Sequence, residues 1–173
     1  ATPATNLTDS TSLTFNSLTT SKPIKGRSAK TDGTAISLTP TSLVWTSLNP
    51  SIATVARVPN NDSTAEVTSV ANGQTIVTAQ FDGSVVVSVP ITVSQKFKHF
   101  LLTTPGNAGG LVNLQSITET ITITATPVDS AEKVIPPTAP IPPPAPTFGV
   151  GTAGVITVQP LTGVVPAQKN GTD

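Results

Sequence analysis

A chain of 173 residues can hold one domain or two small ones. Nine basic and nine acidic side chains cancel, and charged residues make up only 10% of the chain, which argues against a surface that binds nucleic acid or anionic membranes. The absence of cysteine excludes disulfides, thiolate catalysis and cysteine-ligated zinc, and no apolar run approaches the ~20 residues of a membrane span. Abundant Thr, Ser and Val, divided by 17 prolines and 12 glycines, favour short β-strands over an α/β enzyme.

Residues 1–30 are predicted to form an N-terminal arm. The arm begins with the polar run ATPATNLTDSTS, and a short alternating segment follows at 12–16. The only basic cluster of the chain lies at the end of the arm and consists of Lys22, Lys25, Arg27 and Lys30. A solvated loop explains this cluster, but so does an arm that docks on an acidic neighbouring subunit. These four residues are therefore the candidate partner contacts.

Residues 31–95 alternate with the period of two that is typical of half-buried strands. Trp45, the only tryptophan, is the largest apolar group available to a core. Asn49-Pro50 cannot continue a helix and favours a turn, and Asp82-Gly83 between apolar runs predicts a two-residue hairpin. The residues predicted to build the core and its turns are Trp45, Pro50, Val55, Gly73 and Ile76.

Two segments of this region resemble the signature of bacterial Ig-like group 2 domains. Residues 45–55 read WTSLNPSIATV, which is similar to the family's tryptophan strand followed by Ser-x-Asn-Pro-Ser-x-Ala-Thr-Val. Residues 67–79 read VTSVANGQTIVTA, which is similar to the family's glycine turn. The resemblance implies an all-β protein with an Ig-like antiparallel β-sandwich over 31–95. The connection 56–66 is longer than in the family, and it is either a harmless excursion or a loop that makes a specific contact.

Residues 96–173 are predicted to form a second, smaller Ig-like or partial β unit. The run at 117–135 resembles the strand and turn of Ig-like modules, but without their glycine. The proline-rich tract 136–146 favours polyproline II or a sheet edge, either as a strut, as a ligand for an aromatic groove or as a stiff loop. Strands are predicted at 154–158 and 162–165, and the later strands of a complete sandwich are missing. The unit is therefore a small variant sheet, borrows strands from a neighbouring chain, or lies on the first domain.

Few residues of the chain are candidates for catalysis or for metal binding. His99 is the only histidine, and a lone His within KFKHF is interpreted as a strand-face residue rather than a catalytic base. The nine carboxylates are scattered; Asp129 and Glu132 share a turn and could ligate calcium weakly, but turn formation explains them better. No catalytic residue, metal site or cofactor is predicted, and we expect no enzymatic activity.

The resemblance implies a spacer, a decoration or a weak surface binder, because such modules occur in bacterial surface adhesins and in bacteriophage virion proteins. The leading hypothesis is a non-enzymatic virion protein of a bacteriophage, either a capsid decoration (cement) protein or an accessory tail protein. Its expected partners are the major capsid or tail protein or further copies of itself, with a weak host-surface or glycan contact. The alternatives are a module of a secreted or cell-surface bacterial adhesin and an accessory carbohydrate-binding module.

Overall fold

The structure is a computed structural model in two compact units. It describes residues 8, 10–27, 32, 34, 43–61, 63–81, 83–104, 114, 116, 119–149 and 164–166. Unit 1 comprises Ala1–Lys96 with Ala139–Ile141, and unit 2 comprises Phe97–Thr138 with Pro142–Asp173. The described residues form eleven β-strands and no helix, so none of them belongs to a helix that could cross a membrane. The predicted all-β fold class is confirmed.

Unit 1 is a sandwich of two sheets with the strand arrangement of an Ig-like fold. Sheet 1 has the order β1-β7-β6-β3, and sheet 2 has the order β2-β5-β4. The pairs are antiparallel except β1 with β7, which is parallel because the chain passes from β1 into the other sheet before it returns. The strands are β1 (Leu13–Phe15), β2 (Ser21–Lys25), β3 (Leu43–Ser47), β4 (Ala53–Arg57), β5 (Thr64–Ser69), β6 (Gly73–Phe81) and β7 (Ser84–Val93).

Alternation along β6 and β7 places β-branched and small side chains on the inner face. Val77, Val89 and Ile91 are at most 1% exposed, and each removes apolar surface worth roughly 1.5–3 kcal/mol from water. Phe81 pairs with Ser84, which confirms the two-residue hairpin predicted at 82–83. The hairpin aligns β6 and β7, the two longest strands that the described residues form, and so provides the middle of sheet 1.

The described part of the segment predicted as an N-terminal arm, residues 1–30, contributes two strands to unit 1. β1 adds Phe15 to the core and β2 adds Ile24, and both side chains are 1% exposed. Each strand is short and its flanks are polar, so its single buried side chain gave a weak sequence signal. Residues 13–25 therefore complete both sheets of unit 1 rather than extending from it.

Unit 2 contains two antiparallel strand pairs among its described residues. They are β8 (His99–Thr103) with β10 (Thr124–Val128), and β9 (Thr120–Thr122) with β11 (Val164–Pro166). The rings of Phe97 and Phe100 stack at a tilt of 55° with centroids 4.8 Å apart. No strand forms in the proline-rich tract 136–146, where missing N–H donors exclude a central strand. Residues 35–42 of the alternating region 31–95 and the strand predicted at 154–158 lie outside the described residues.

Candidate interaction surface

The Asn-Pro-Ser segment of the tryptophan motif forms the turn between β3 and β4. The Asn49 Oδ1 accepts hydrogen bonds from the Ser51 N–H at 3.2 Å and from the Ser51 hydroxyl at 2.6 Å. The Asn49 carbonyl accepts the Ile52 N–H at 3.1 Å, and the Asn49 N–H donates to the Thr75 Oγ1 at 2.9 Å. Pro50 is exposed within this turn. The Asn49 and Ser51 side chains thus stabilise the turn, and the Asn49 N–H ties it to β6, so these polar groups have an architectural role.

Trp45 packs against the core from its side rather than filling its centre. It lies on the inner face of β3, opposite Ala79, and is half-buried, as is Val55 on β4. The Trp45 Nε1 is buried and has no hydrogen-bond partner among the described residues.

Gly26, which the sequence did not single out, lies against side chains of sheet 1. A Cβ at this position would lie 3.0 Å from a Val87 methyl, 3.1 Å from Leu43 and 3.3 Å from the Trp45 ring. The glycine therefore leaves room for the tryptophan.

Ile76 is a correction to the predicted core. Its side chain is 37% exposed, because Thr75, Val77 and Ala79 occupy the inner face of β6 and the alternation turns Ile76 outward. Gly73 does require glycine: its φ is +144°, and an added Cβ would lie 2.7 Å from the Ile52 Cδ1.

The outer face of sheet 1 carries no charged residue among those that the structure describes. Leu48, Val44 and Ile76 are 65%, 58% and 37% exposed there. The Leu48 N–H donates to the Ile76 carbonyl at 2.9 Å, and Ile76 pairs with Pro90, so an apolar row crosses three strands. We name this surface the neutral face. It consists of Val44, Thr46, Leu48, Ile76, Thr78, Gln80, Ser88 and Pro90.

The predicted basic cluster is divided between the two faces of β2. Lys22 points inward over the sheet edge, where its Nζ donates to the Thr14 carbonyl and lies 5.2 Å from the centroid of the Phe15 ring. Lys25 is exposed on the outer face of sheet 2, and Arg27 is exposed just after β2. Residues three apart on a strand point to opposite sides, so Lys22 and Lys25 do not converge. Lys30 lies outside the described residues.

The connection between β4 and β5 is a compact turn held by its own side chains. The Asn61 Oδ1 accepts the Ser63 N–H at 3.2 Å and the Thr64 N–H at 3.0 Å. The Val58 N–H donates to the Thr64 carbonyl at 3.1 Å, and Asn60 has a φ of +57°. These contacts close the 56–66 connection into a hairpin loop, which contains the extra residues.

In unit 2, the carboxylates that were weighed as calcium ligands stabilise a turn. Asp129 is fully buried, and its Oδ1 accepts the N–H groups of Ala131 at 2.8 Å and Lys133 at 3.0 Å. Glu132 occupies the position of the missing glycine with a φ of +58°, and its Oε2 lies 3.3 Å from the Nε2 of His99. Among the described residues, no three His, Asp or Glu side chains gather as metal ligands would.

No protein-family model and no curated protein sequence matches this chain. Domains 5–6 of the S-layer protein SbsC are similar over 97% of this chain and 85% of that one, at 17% identity and a TM-score of 0.46. The Escherichia coli adhesin FdeC is similar over 96% of this chain and 57% of that one, at 16% identity and a TM-score of 0.47.

A C-terminal fragment of intimin, in complex with the intimin-binding domain of its translocated receptor, is similar over 99% of this chain and 57% of that one. Its identity is 13% and its TM-score 0.38. This chain thus spans little more than half of the adhesin and intimin chains. These three solved chains belong to an S-layer protein, an adhesin and an intimin, but identities and TM-scores this low assign no function.

Proposed function

We propose that the chain is a non-enzymatic module of a bacterial surface protein, structural or adhesive, that works by packing against neighbouring protein. The neutral face is the observation that carries this proposal. It combines exposed apolar side chains such as Leu48 and Ile76 with uncharged Thr and Gln, on a sheet whose other face packs on the hydrophobic core. Burying such a face requires no charge to be desolvated.

The occupant that fits the neutral face best is the same face of a neighbouring copy. In a two-fold contact each residue meets the same surface patch of the other copy, so a charged face would bring like charges together. The neutral face avoids this repulsion, whereas the outer face of sheet 2 presents Lys25 and Glu66. Charge therefore favours sheet 1 over sheet 2 for contact between copies.

The surface module is preferred to the two other hypotheses from the sequence. A virion protein would use the same kind of packing, but no contact of the described residues points to a capsid or a tail. A carbohydrate-binding module normally presents exposed aromatic rings, and here all six aromatic side chains are buried or half-buried. The glycan hypothesis predicts sugar binding that calorimetry would detect.

The proposal is tested with a single cysteine, which the cysteine-free chain makes unambiguous. Thr54→Cys places a thiol on the exposed outer face of sheet 2. A membrane-impermeant maleimide is expected to label this thiol on intact producing cells as fully as in purified protein. Labelling only after lysis, or recovery of the protein in purified phage particles, would contradict a role at the cell surface.

Self-packing is tested separately by sedimentation of the purified chain over a range of concentrations. We expect Thr46→Lys, on the neutral face, to weaken self-association because two like charges would be buried together. Thr54→Lys, a matched substitution on the other sheet, should leave it unchanged. Equal behaviour of the two variants would argue against the neutral face as the contact.

A further inference from the structure

The turn between β5 and β6 contains an Asn-Gly pair whose side-chain amide is fixed by a buried glutamine. The Asn72 Nδ2 donates to the Gln95 Oε1 at 2.8 Å, and the Asn72 Oδ1 accepts the Gln95 N–H at 2.8 Å. Gln95 is 0% exposed and lies two residues after the end of β7. The two hydrogen bonds close a ring that joins this turn to the C-terminal end of unit 1.

An Asn followed by Gly is chemically the most reactive setting for an asparagine amide. The backbone nitrogen of Gly73 can attack the Asn72 Cγ, forming an N–C bond, while the Cγ–Nδ2 bond breaks and ammonia leaves with the proton of the Gly73 N–H. Water then opens the resulting imide to aspartate or isoaspartate. Glycine leaves this attack open because it has no Cβ to obstruct the approach.

We propose that Asn72 is a protected modification site, in which the Gln95 pair holds the carboxamide away from ring closure and its opening permits hydrolysis to isoaspartate. Both polar atoms of the carboxamide are occupied in the pair, so the Asn72 Cγ turns toward the Gly73 nitrogen only after both hydrogen bonds break. The only co-reactant is water. The local fold thus protects Asn72 from deamidation, and this protection is lost when the turn between β5 and β6 opens.

The product does not fit the place that Asn72 leaves. Isoaspartate adds one carbon to the main chain directly before β6, where Gly73 pairs with Val93 and where a Cβ on Gly73 would already lie 2.7 Å from the Ile52 Cδ1. In the aspartate product, a carboxylate oxygen replaces the Nδ2 donor and faces the Gln95 Oε1, acceptor against acceptor, and in isoaspartate the former carboxamide carbon has become part of the main chain, so the Nδ2 donor is lost as well. Hydrolysis therefore breaks the hydrogen bonds between the turn and Gln95, and it leaves a covalent change in the chain.

The experiment compares deamidation of Asn72 in native chain, in chain unfolded by denaturant and in two variants, by peptide mapping and mass spectrometry. We expect native chain to react more slowly than unfolded chain by about tenfold or more, because opening a pair of buried hydrogen bonds is worth at least that factor. Gln95→Ala should lose the protection while Trp45 fluorescence still reports a folded unit. Gln80→Ala, on the neutral face, is the matched control and should keep the protection.

Equal rates in native and unfolded chain would overturn the proposal, and so would a folded Gln95→Ala variant that reacts as slowly as the native chain. Should Gln95→Ala fail to fold, the rate of Asn72 deamidation is instead measured for the native chain in mild denaturant. The rate is then expected to rise at denaturant concentrations that leave the Trp45 signal unchanged, because local opening precedes global unfolding. A rate that follows only the global transition would show that the Gln95 pair protects nothing by itself.

Discussion

Sheet 1 and sheet 2 bury the same kind of residue on their inner faces, whereas their outer faces differ. Small and β-branched side chains predominate on both inner faces, and Val77 and Val67, each 0% exposed, illustrate them. The outer face of sheet 2 carries Lys25 and Glu66, while the neutral face of sheet 1 carries exposed apolar groups and no charge among the described residues. The shared core explains the fold, and the difference between the outer faces is what bears on function.

The largest expected effect comes from removing the strands that begin both sheets. Deleting residues 1–26 takes β1, β2 and the buried Phe15 and Ile24 away from unit 1. We expect the cooperative thermal transition, followed by Trp45 fluorescence, to disappear. Lys25→Ala removes only an exposed charge and should leave the transition in place. A truncated chain that still melts cooperatively would restore the idea of a separate arm.

Two isoleucines test how much a side chain on the inner face and one on the outer face each contribute to the free energy of unfolding. Ile24→Ala, on the inner face of sheet 2, should lower the free energy of unfolding by about 2–5 kcal/mol, because a buried side chain is replaced by a cavity. Ile76→Ala, on the neutral face, should lower it by less than about 1 kcal/mol. Denaturant titrations give both values. Similar losses in the two variants would place Ile76 in the core after all.

A smaller effect is expected at Gly26, which lies against side chains of sheet 1. Gly26→Ala forces a methyl group against Val87, Leu43 and the Trp45 ring, and such overpacking should cost about 1–3 kcal/mol. Gly149→Ala is the control, because nothing lies within 4 Å of the added Cβ. Melting curves of the two variants test the contact. A Gly26→Ala variant with an unchanged melting curve would mean that the two sheets can move apart at Gly26 without loss of stability.

Periodicity and turn residues predicted the middle of the sandwich from the sequence. The alternation predicted over 31–95, for its described residues between 43 and 93, the Asn49 turn and the hairpin at 82–83 each have a local signal that agrees with the structure. The roles of β1, β2 and Gly26 could not be read in this way, because each depends on contacts with residues distant in sequence.

The face of a strand and the exact turn geometry were also beyond the sequence. Ile76 has the same β propensity as its inward neighbours, so only the register decides that it points outward. The turn of unit 2 adopts a positive φ at Glu132 without a glycine, because the buried Asp129 carboxylate accepts two N–H groups of the turn. The positive φ of Glu132 therefore depends on the side chain of Asp129, three residues earlier in the chain.

The most direct test of the proposed role compares one thiol on each outer face in the native assembly. Thr46→Cys and Thr54→Cys are matched exposed threonines on β3 and β4 of a chain without other cysteines. On intact cells we expect a maleimide to label Thr54→Cys readily and Thr46→Cys poorly, while both react equally in dilute purified protein. Equal labelling of the two thiols on cells would contradict packing through the neutral face.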